Sequence, residues 1–378
     1  MNYSFWEGDS FTDDIDVAII GGGIVGLSAA IHLKAESPGL RVVVLEQGVI
    51  LSGASLRNAG FACFAPPSEL LADLAKSNAT DVFKLVEKRW KGLLQLRQLL
   101  GDSAIGYELT GGHEVYETDG EFERYMEHLP LLNQYLAEII GKKEIFKVHD
   151  GKIEQLGLNG FKHLVEIQGE AQLNTGKMMQ AFVQKATVHE VTMLNGVQLT
   201  GYTDNPNEVI LKTNWKTLQA KRVLFATNGY TSSLLKDLDV KPARAQVVIT
   251  SPIEGLKIHG NFHFDEGYYY FRNVGNRILF GGGRNLDFEK ETTTELDVTK
   301  KIQTALEKIL AEKILPSTPY TIENRWSGVM GVGSDKWPIV KKYSTNVFCA
   351  VRMGGMGIAL GTGTGQEAAE LVLNSFKS

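Results

Sequence analysis

Short apolar runs and stretches of helical period alternate along the chain, and their order predicts its architecture. Residues 17–20 are an unbroken apolar run that stops at consecutive glycines, residues 24–36 repeat apolar positions with helical spacing, and residues 41–45 are a second apolar run. This reads strand, helix, strand. A long amphipathic helix is predicted over roughly 80–100, with Phe83, Val86, Trp90, Leu93 and Leu100 on one core-facing stripe. Strand 112–117, helices 121–140 and 175–186, short strands near 191–193 and 209–213, and a strand over 222–226 follow. The middle then turns β-rich. Segments 244–250, 267–272 and 277–281 alternate or run apolar, and Asn273-Val-Gly-Asn276 joins the last two as a turn. A helix over 297–312, strands near 321–327 and over 346–351, a glycine-rich turn and a helix over 365–376 complete the pattern. Strand–helix–strand material at both ends and in the middle, with sheet material between, predicts two domains interleaved in sequence. A chain of 378 residues also exceeds what one core usually supports.

Glycine sharpens this reading. Its 40 occurrences exceed the usual share of about 7% and gather in three patches beside predicted strands, where close backbone approach to a large ligand would require them. The first patch, Gly21-Gly-Gly23-Ile24-Val25-Gly26, opens a helix, and Glu46-Gln47 ends the next strand about twenty residues beyond the last glycine. That is a dinucleotide-binding fingerprint. Gly21 permits the tight turn, Gly23 lets backbone approach a pyrophosphate, and Gly26 allows close packing of helix on strand. The pyrophosphate would sit on the helix N-terminus, where free amides and the macrodipole stabilise its charge. Glu46 would accept bonds from a ribose and repel a 2′-phosphate. The motif alone leaves FAD and NAD both open. The other patches are Leu279-Phe-Gly-Gly-Gly283 and Met353-Gly-Gly-Met-Gly357 through Gly361-Thr-Gly-Thr-Gly365.

A net charge of −5, with no basic cluster, gives no reason to expect nucleic acid as a partner. Residues 1–14 lack a basic start and an apolar core, so neither a signal peptide nor membrane insertion is expected. Two cysteines, Cys63 and Cys349, make no disulfide framework, and a cytoplasmic location is expected. His259 and His263 have a metal-like spacing, but Gly260 and Asn261 argue against a helix there and no carboxylate or cysteine cluster accompanies them. No metal is expected.

Leu51-Ser-Gly-Ala-Ser-Leu-Arg-Asn-Ala-Gly-Phe61 resembles the Gly-Ala-Ser-Gly-Arg-Asn-x-Gly segment of the D-amino-acid oxidase, glycine oxidase and sarcosine oxidase superfamily, and looks most like its γ-glutamylputrescine oxidase branch. The resemblance implies FAD, held non-covalently. Ser55, Arg57, Asn58, Ala59 and Gly60 would meet it beyond the pyrophosphate, and Ala226, Thr227 and Asn228, with the backbone of Val197, would close its adenine side. Gly355, Met356, Gly357 and Ile358 form a second helix N-terminus that would face the pyrimidine edge of the flavin, where negative charge develops on reduction. Tyr270-Phe-Arg272, Phe280-Gly-Gly-Gly283, Trp326-Ser-Gly328 and Asp335-x-x-Pro338 also match, so the resemblance covers almost the whole chain.

The fold implied is an α/β FAD/NAD(P)-binding Rossmann-like domain of the glutathione-reductase type over residues 14–90, 171–243 and 322–378. It is interleaved with an α+β substrate domain of mainly antiparallel sheet over 91–170 and 244–321. The implied activity is oxidation of the C–N bond of an amine or amino-acid derivative, with oxygen or another acceptor reoxidising the flavin. Two readings stay open beside it: oxidation of a 2-hydroxy acid, with His113 as base, and a non-catalytic flavin- or NAD-binding redox protein.

The chain departs from the family where substrate carboxylate is held. Met330 and Gly355 stand where the amino-acid-oxidising members carry arginines, which makes a simple α-amino acid a weaker expectation. Arg272 and Arg352 are the expected replacements. Tyr270 and Arg272, two apart on a predicted strand, share a face, and with Arg352 they form the expected substrate-contacting set.

Overall fold

The computed structural model describes residues 3–377; Met1 and Ser378, the ends of two expected segments, lie outside them. Two eight-stranded sheets organise the chain. In the first, Ile15–Ile20 lies between Val42–Glu46 and Thr217–Phe225, with Thr192–Asn195 and Val347–Val351 outside them, all parallel. Ile339–Lys342 adds antiparallel to one edge, and Leu199–Asp204 with Val209–Thr213 forms a meander against Thr217–Phe225. The apolar run of the first strand reflects burial on both faces. Val17 and Ile19 pack on the helical side with residues of Ile24–Glu36, Ala79–Leu100 and Gly357–Asn374, whereas Ala18 and Ile20 pack with the meander.

The second sheet runs Ile322–Val332, Lys241–Thr250, Arg277–Gly282, Tyr269–Val274, Asn261–Phe264, Gly112–Tyr116, His163–Ile167 and Phe146–Val148. It is antiparallel except where Asn261–Phe264 meets Gly112–Tyr116. One face buries Phe262, Phe264, Phe271 and Phe280 against Lys300–Ile309. Strand alternation therefore turns His263, Tyr270 and Gly281 toward the opposite face.

Ile322–Val332, expected within the nucleotide-domain segment 322–378, pairs along Lys241–Thr250 in the second sheet. Two expectations are corrected. The helix expected over 121–140 is two, Asp119–Met126 and Leu129–Ile140, because Pro130 is confined to a first turn. The final helix begins at Gly357, not 365, so Gly361, Gly363 and Gly365 are helical. Their role is close packing. A Cβ on Gly361 would lie 2.6 Å from the Ile24 side chain, one on Gly365 2.6 Å from the Val25 carbonyl, and one on Gly92 of the long helix 1.9 Å from the Ala359 carbonyl. Three helices thus meet backbone to backbone, which brings the N-termini of Ile24–Glu36 and Gly357–Asn374 to the same cleft.

Candidate functional site

A cleft of about 800 Å³ runs from the fingerprint turn to the second sheet. At its first end Gly21 has φ +107°, and a Cβ there would lie 2.8 Å from the Ala226 carbonyl, so glycine is required. Gly21, Gly23, Ile24 and Val25 line the cleft. Gly26 lies behind them, where a Cβ would meet the Gly21 carbonyl at 2.0 Å; its work is packing. Glu46 is buried, and its two oxygens accept the amides of Gly22 and Gly48 at 3.0 and 2.9 Å. That fixes the carboxylate while leaving lone pairs for a ligand hydroxyl. Gln47, Val197, Ala226, Thr227 and Asn228 line the same end.

The middle is built from Ser55, Arg57, Asn58, Ala59 and Gly60. Ser55 Oγ accepts the Ile24 amide at 3.0 Å, tying this segment to the first helix N-terminus. Arg57 donates to the carbonyls of Ser52 and Ser327 at 2.7 and 3.0 Å, and its own carbonyl accepts the Trp326 indole at 2.9 Å. Asn58 folds back, donating to the Ala54 and Ser55 carbonyls and accepting the Gly60 amide at 2.8 Å. At the far end Gly355, Met356, Gly357 and Ile358 present the first turn of the last helix. Asn228 Oδ1 accepts the Met353 amide at 3.1 Å and so joins both ends of the cleft.

These residues fit a dinucleotide that continues past its pyrophosphate. Two helix N-termini open into one continuous space, the Glu46 carboxylate is fixed beside the first of them, and the volume lies in the upper part of the usual range of about 300–1,000 Å³ for cofactor and ligand pockets.

The second sheet supplies the rest of the wall. Tyr270 lies flat over Gly281, whose Cβ would fall 2.8 Å from the phenol oxygen, and burial pushes its hydroxyl up to about 12. Phe61 packs edge-on against Tyr270 and His263. His263 lines the cleft with burial pulling its imidazole down to about 4, and its Nε2 lies 4.0 Å from Glu170. Glu69 also lines the cleft. Burial alone would raise its carboxyl, but Lys336 at 2.9 Å and Arg89 at 3.4 Å hold it down at about 2. Lys336 is shared with Asp73 at 2.7 Å.

Met330 and Gly355 both line the cleft and are neighbours, a Cβ on Gly355 lying 3.3 Å from the Met330 sulfur. The expected replacements are elsewhere. Arg272 is buried behind Gly60 and donates to the Leu173 carbonyl at 3.1 Å; it shares a face with Tyr270 but not the cleft. Arg352, at φ +69°, turns away to Asp239 and Asp335 at 2.7 and 2.6 Å and to the Trp337 carbonyl. His113 is also off the cleft, stacked on Phe262 and bonded to the Asn261 carbonyl. Sequence reasoning missed Glu69, Lys336, Cys63 and Arg284 as lining residues and set His263 aside with the metal question. Only the Gly-Gly-Gly turn beside Arg284 carried a signal.

Fold and cleft define a two-sheet protein with a dinucleotide-binding fingerprint, whose cleft reaches from a parallel sheet to the face of an antiparallel one. The pattern of the FAD dependent oxidoreductase (DAO) family matches residues 16–371, and the chain belongs to that family: it is an FAD-dependent oxidoreductase. It is similar to the probable oxidoreductase OrdL of Rhizobium meliloti (strain 1021), 24% identical over 95% of this chain and 83% of that protein. It is 25% identical to the gamma-glutamylputrescine oxidoreductase of Escherichia coli (strain K12) over 94% of this chain and 83% of that one. Among solved structures, glycine oxidase from Bacillus cereus ATCC 14579 shares the fold, with a TM-score of 0.76 and 19% identity over 96% of this chain and 95% of the other. No helix among the described residues is long and apolar enough to cross a membrane.

Proposed function

We propose that this protein oxidises the C–N bond of an amine or amino-acid derivative. The observation that carries the reading is the continuity of one cleft from the fingerprint helix N-terminus to an aromatic wall of Phe61 and Tyr270. The names of the similar gamma-glutamylputrescine oxidoreductase and glycine oxidase agree with it. FAD, held non-covalently by the residues above, would supply flavin N5 as acceptor for the hydride leaving the carbon beside the substrate nitrogen, and the imine released then hydrolyses in water.

The chain's own residues bind, orient and exclude water. Phe61 and Tyr270 present an apolar wall with a hydroxyl that stays protonated at neutral pH. A neutral amine needs no strong base to react, and His263, uncharged near pH 7, places no competing cation beside it. The amides at Gly357 and Ile358 point the positive end of a helix dipole at the cleft, where they would stabilise developing negative charge. Cys63 lines the cleft, but burial, with the acids Glu170 and Glu69, keeps its thiol protonated and poorly nucleophilic.

A screen of amines, amino acids and 2-hydroxy acids, with and without oxygen, tests this reading through bleaching of the flavin. Bleaching by amines is expected; bleaching by 2-hydroxy acids alone would replace the reading.

A further inference from the structure

Arg284 opens the short turn Arg284–Leu286 that follows Arg277–Gly282, after Gly283 at φ +76°. It lines the cleft. Among the described residues its guanidinium has no hydrogen-bond or ion-pair partner, and its Nε is buried and unsatisfied. The cation is held in place all the same: it lies 5.0 Å over the ring of Phe288, which packs edge-on against Tyr268 of the cleft wall. Burial lowers its affinity for a proton, and nearby Glu291 is already committed to Arg244 at 2.8 Å. Glu266 lines the cleft too, and among the ion pairs of the described residues none joins it to Arg284. A planar fork of donors, half-buried and unpaired in a ligand cleft, is a site for a carboxylate.

The strand that leads into Arg284 ends away from the corner formed by Met330 and Gly355. Met330 pairs with Ala243, and Gly282 pairs with Gln246 one strand further on. Three residues at about 3.4 Å and two strand spacings at about 4.8 Å put Gly282 roughly 14 Å from Met330.

We infer that Arg284 binds the carboxylate of the substrate, and that the substrate is an amine whose carboxylate is separated from the oxidised carbon by a spacer of several bonds. The spacer rests on the amine-oxidation reading; the carboxylate site does not. The FAD-loaded enzyme is titrated with unreactive hexanoate, following the perturbation of the flavin spectrum. The dissociation constant should rise on the order of 10- to 100-fold in Arg284→Met, with Arg284→Lys between, because lysine keeps the charge and loses the fork. Equal hexanoate affinity in wild type and both variants overturns the carboxylate site.

Turnover then tests the spacer. The series glycine, 4-aminobutyrate and 6-aminohexanoate is compared with n-alkylamines of matching length. Wild type should favour the longer amino acids over their alkylamines, and in Arg284→Met that preference should collapse on the order of 10- to 100-fold, mainly through KM. Preference for glycine, or none for the acids, refutes the spacer. If no amine of either series reduces the flavin, amine oxidation itself fails, and the hexanoate titration still decides Arg284.

Discussion

Glu170 stands behind His263, fully buried, with one oxygen accepting the amides of Phe64 and Ala65 at 3.0 and 3.3 Å and the other unpartnered. Burial, reinforced by Glu69 and Glu114 and opposed by the two amides, pushes its carboxyl from 4.5 up to about 8. Between those values the folded protein holds a proton that the unfolded chain has released, so stability falls as pH rises through that window. The cost is absent below 4.5 and complete above 8. At about 1.4 kcal/mol for each pH unit crossed, it reaches roughly 5 kcal/mol, and relaxation of the buried site reduces this to about 2–4 kcal/mol. Glu170→Gln keeps the acceptor for both amides and places an uncharged amide toward His263 Nε2. Urea unfolding of wild type and variant, matched for FAD content, should give equal stabilities near pH 4 and a variant more stable by about 2–4 kcal/mol at pH 8.5. A difference between the two that does not change with pH would refute a protonated Glu170.

Glu46→Arg should weaken FAD binding by roughly 1.5–3 kcal/mol through loss of charge-assisted ribose bonds, read by flavin fluorescence titration; unchanged affinity would remove Glu46 from the cofactor site. Acid precipitation should leave the flavin in the supernatant; flavin in the pellet would mean a covalent bond, with Cys63 the first residue to examine. Gly92→Ala should cost roughly 1–3 kcal/mol in urea unfolding, because its methyl would lie 1.9 Å from the Ala359 carbonyl. An undisturbed midpoint would show that the two helices can part freely.

The nucleotide half was legible because each of its residues solves a local problem: Gly21 a positive φ, Gly26 a close approach, Glu46 the end of a strand. The helical nature of 357–365 was not legible, because glycine discourages helix until partner helices make its missing side chain an advantage. The expected substrate-contacting set is divided: Tyr270 lines the cleft, and Arg272 and Arg352 do not. Tyr270 and Arg272 do share a face, but two residues along a strand are about 6.8 Å apart, and by Arg272 the wall has passed beneath Gly60. Arg352 leaves its strand at a left-handed residue whose direction no periodicity reports. Glu69, Lys336 and Arg284 reach the cleft from a short helix, a loop and a turn, so only tertiary assembly brings them together.

The proposed reaction removes hydride from the carbon beside a substrate nitrogen. The most direct measurement is a single anaerobic turnover of the FAD-loaded enzyme with the best amine from the screen, unlabelled and carrying deuterium at that carbon. The flavin absorbance should bleach several-fold more slowly with deuterium, and one carbonyl product and one amine or ammonia should appear per flavin reduced. Bleaching by a 2-hydroxy acid with no reduction by any amine would contradict it.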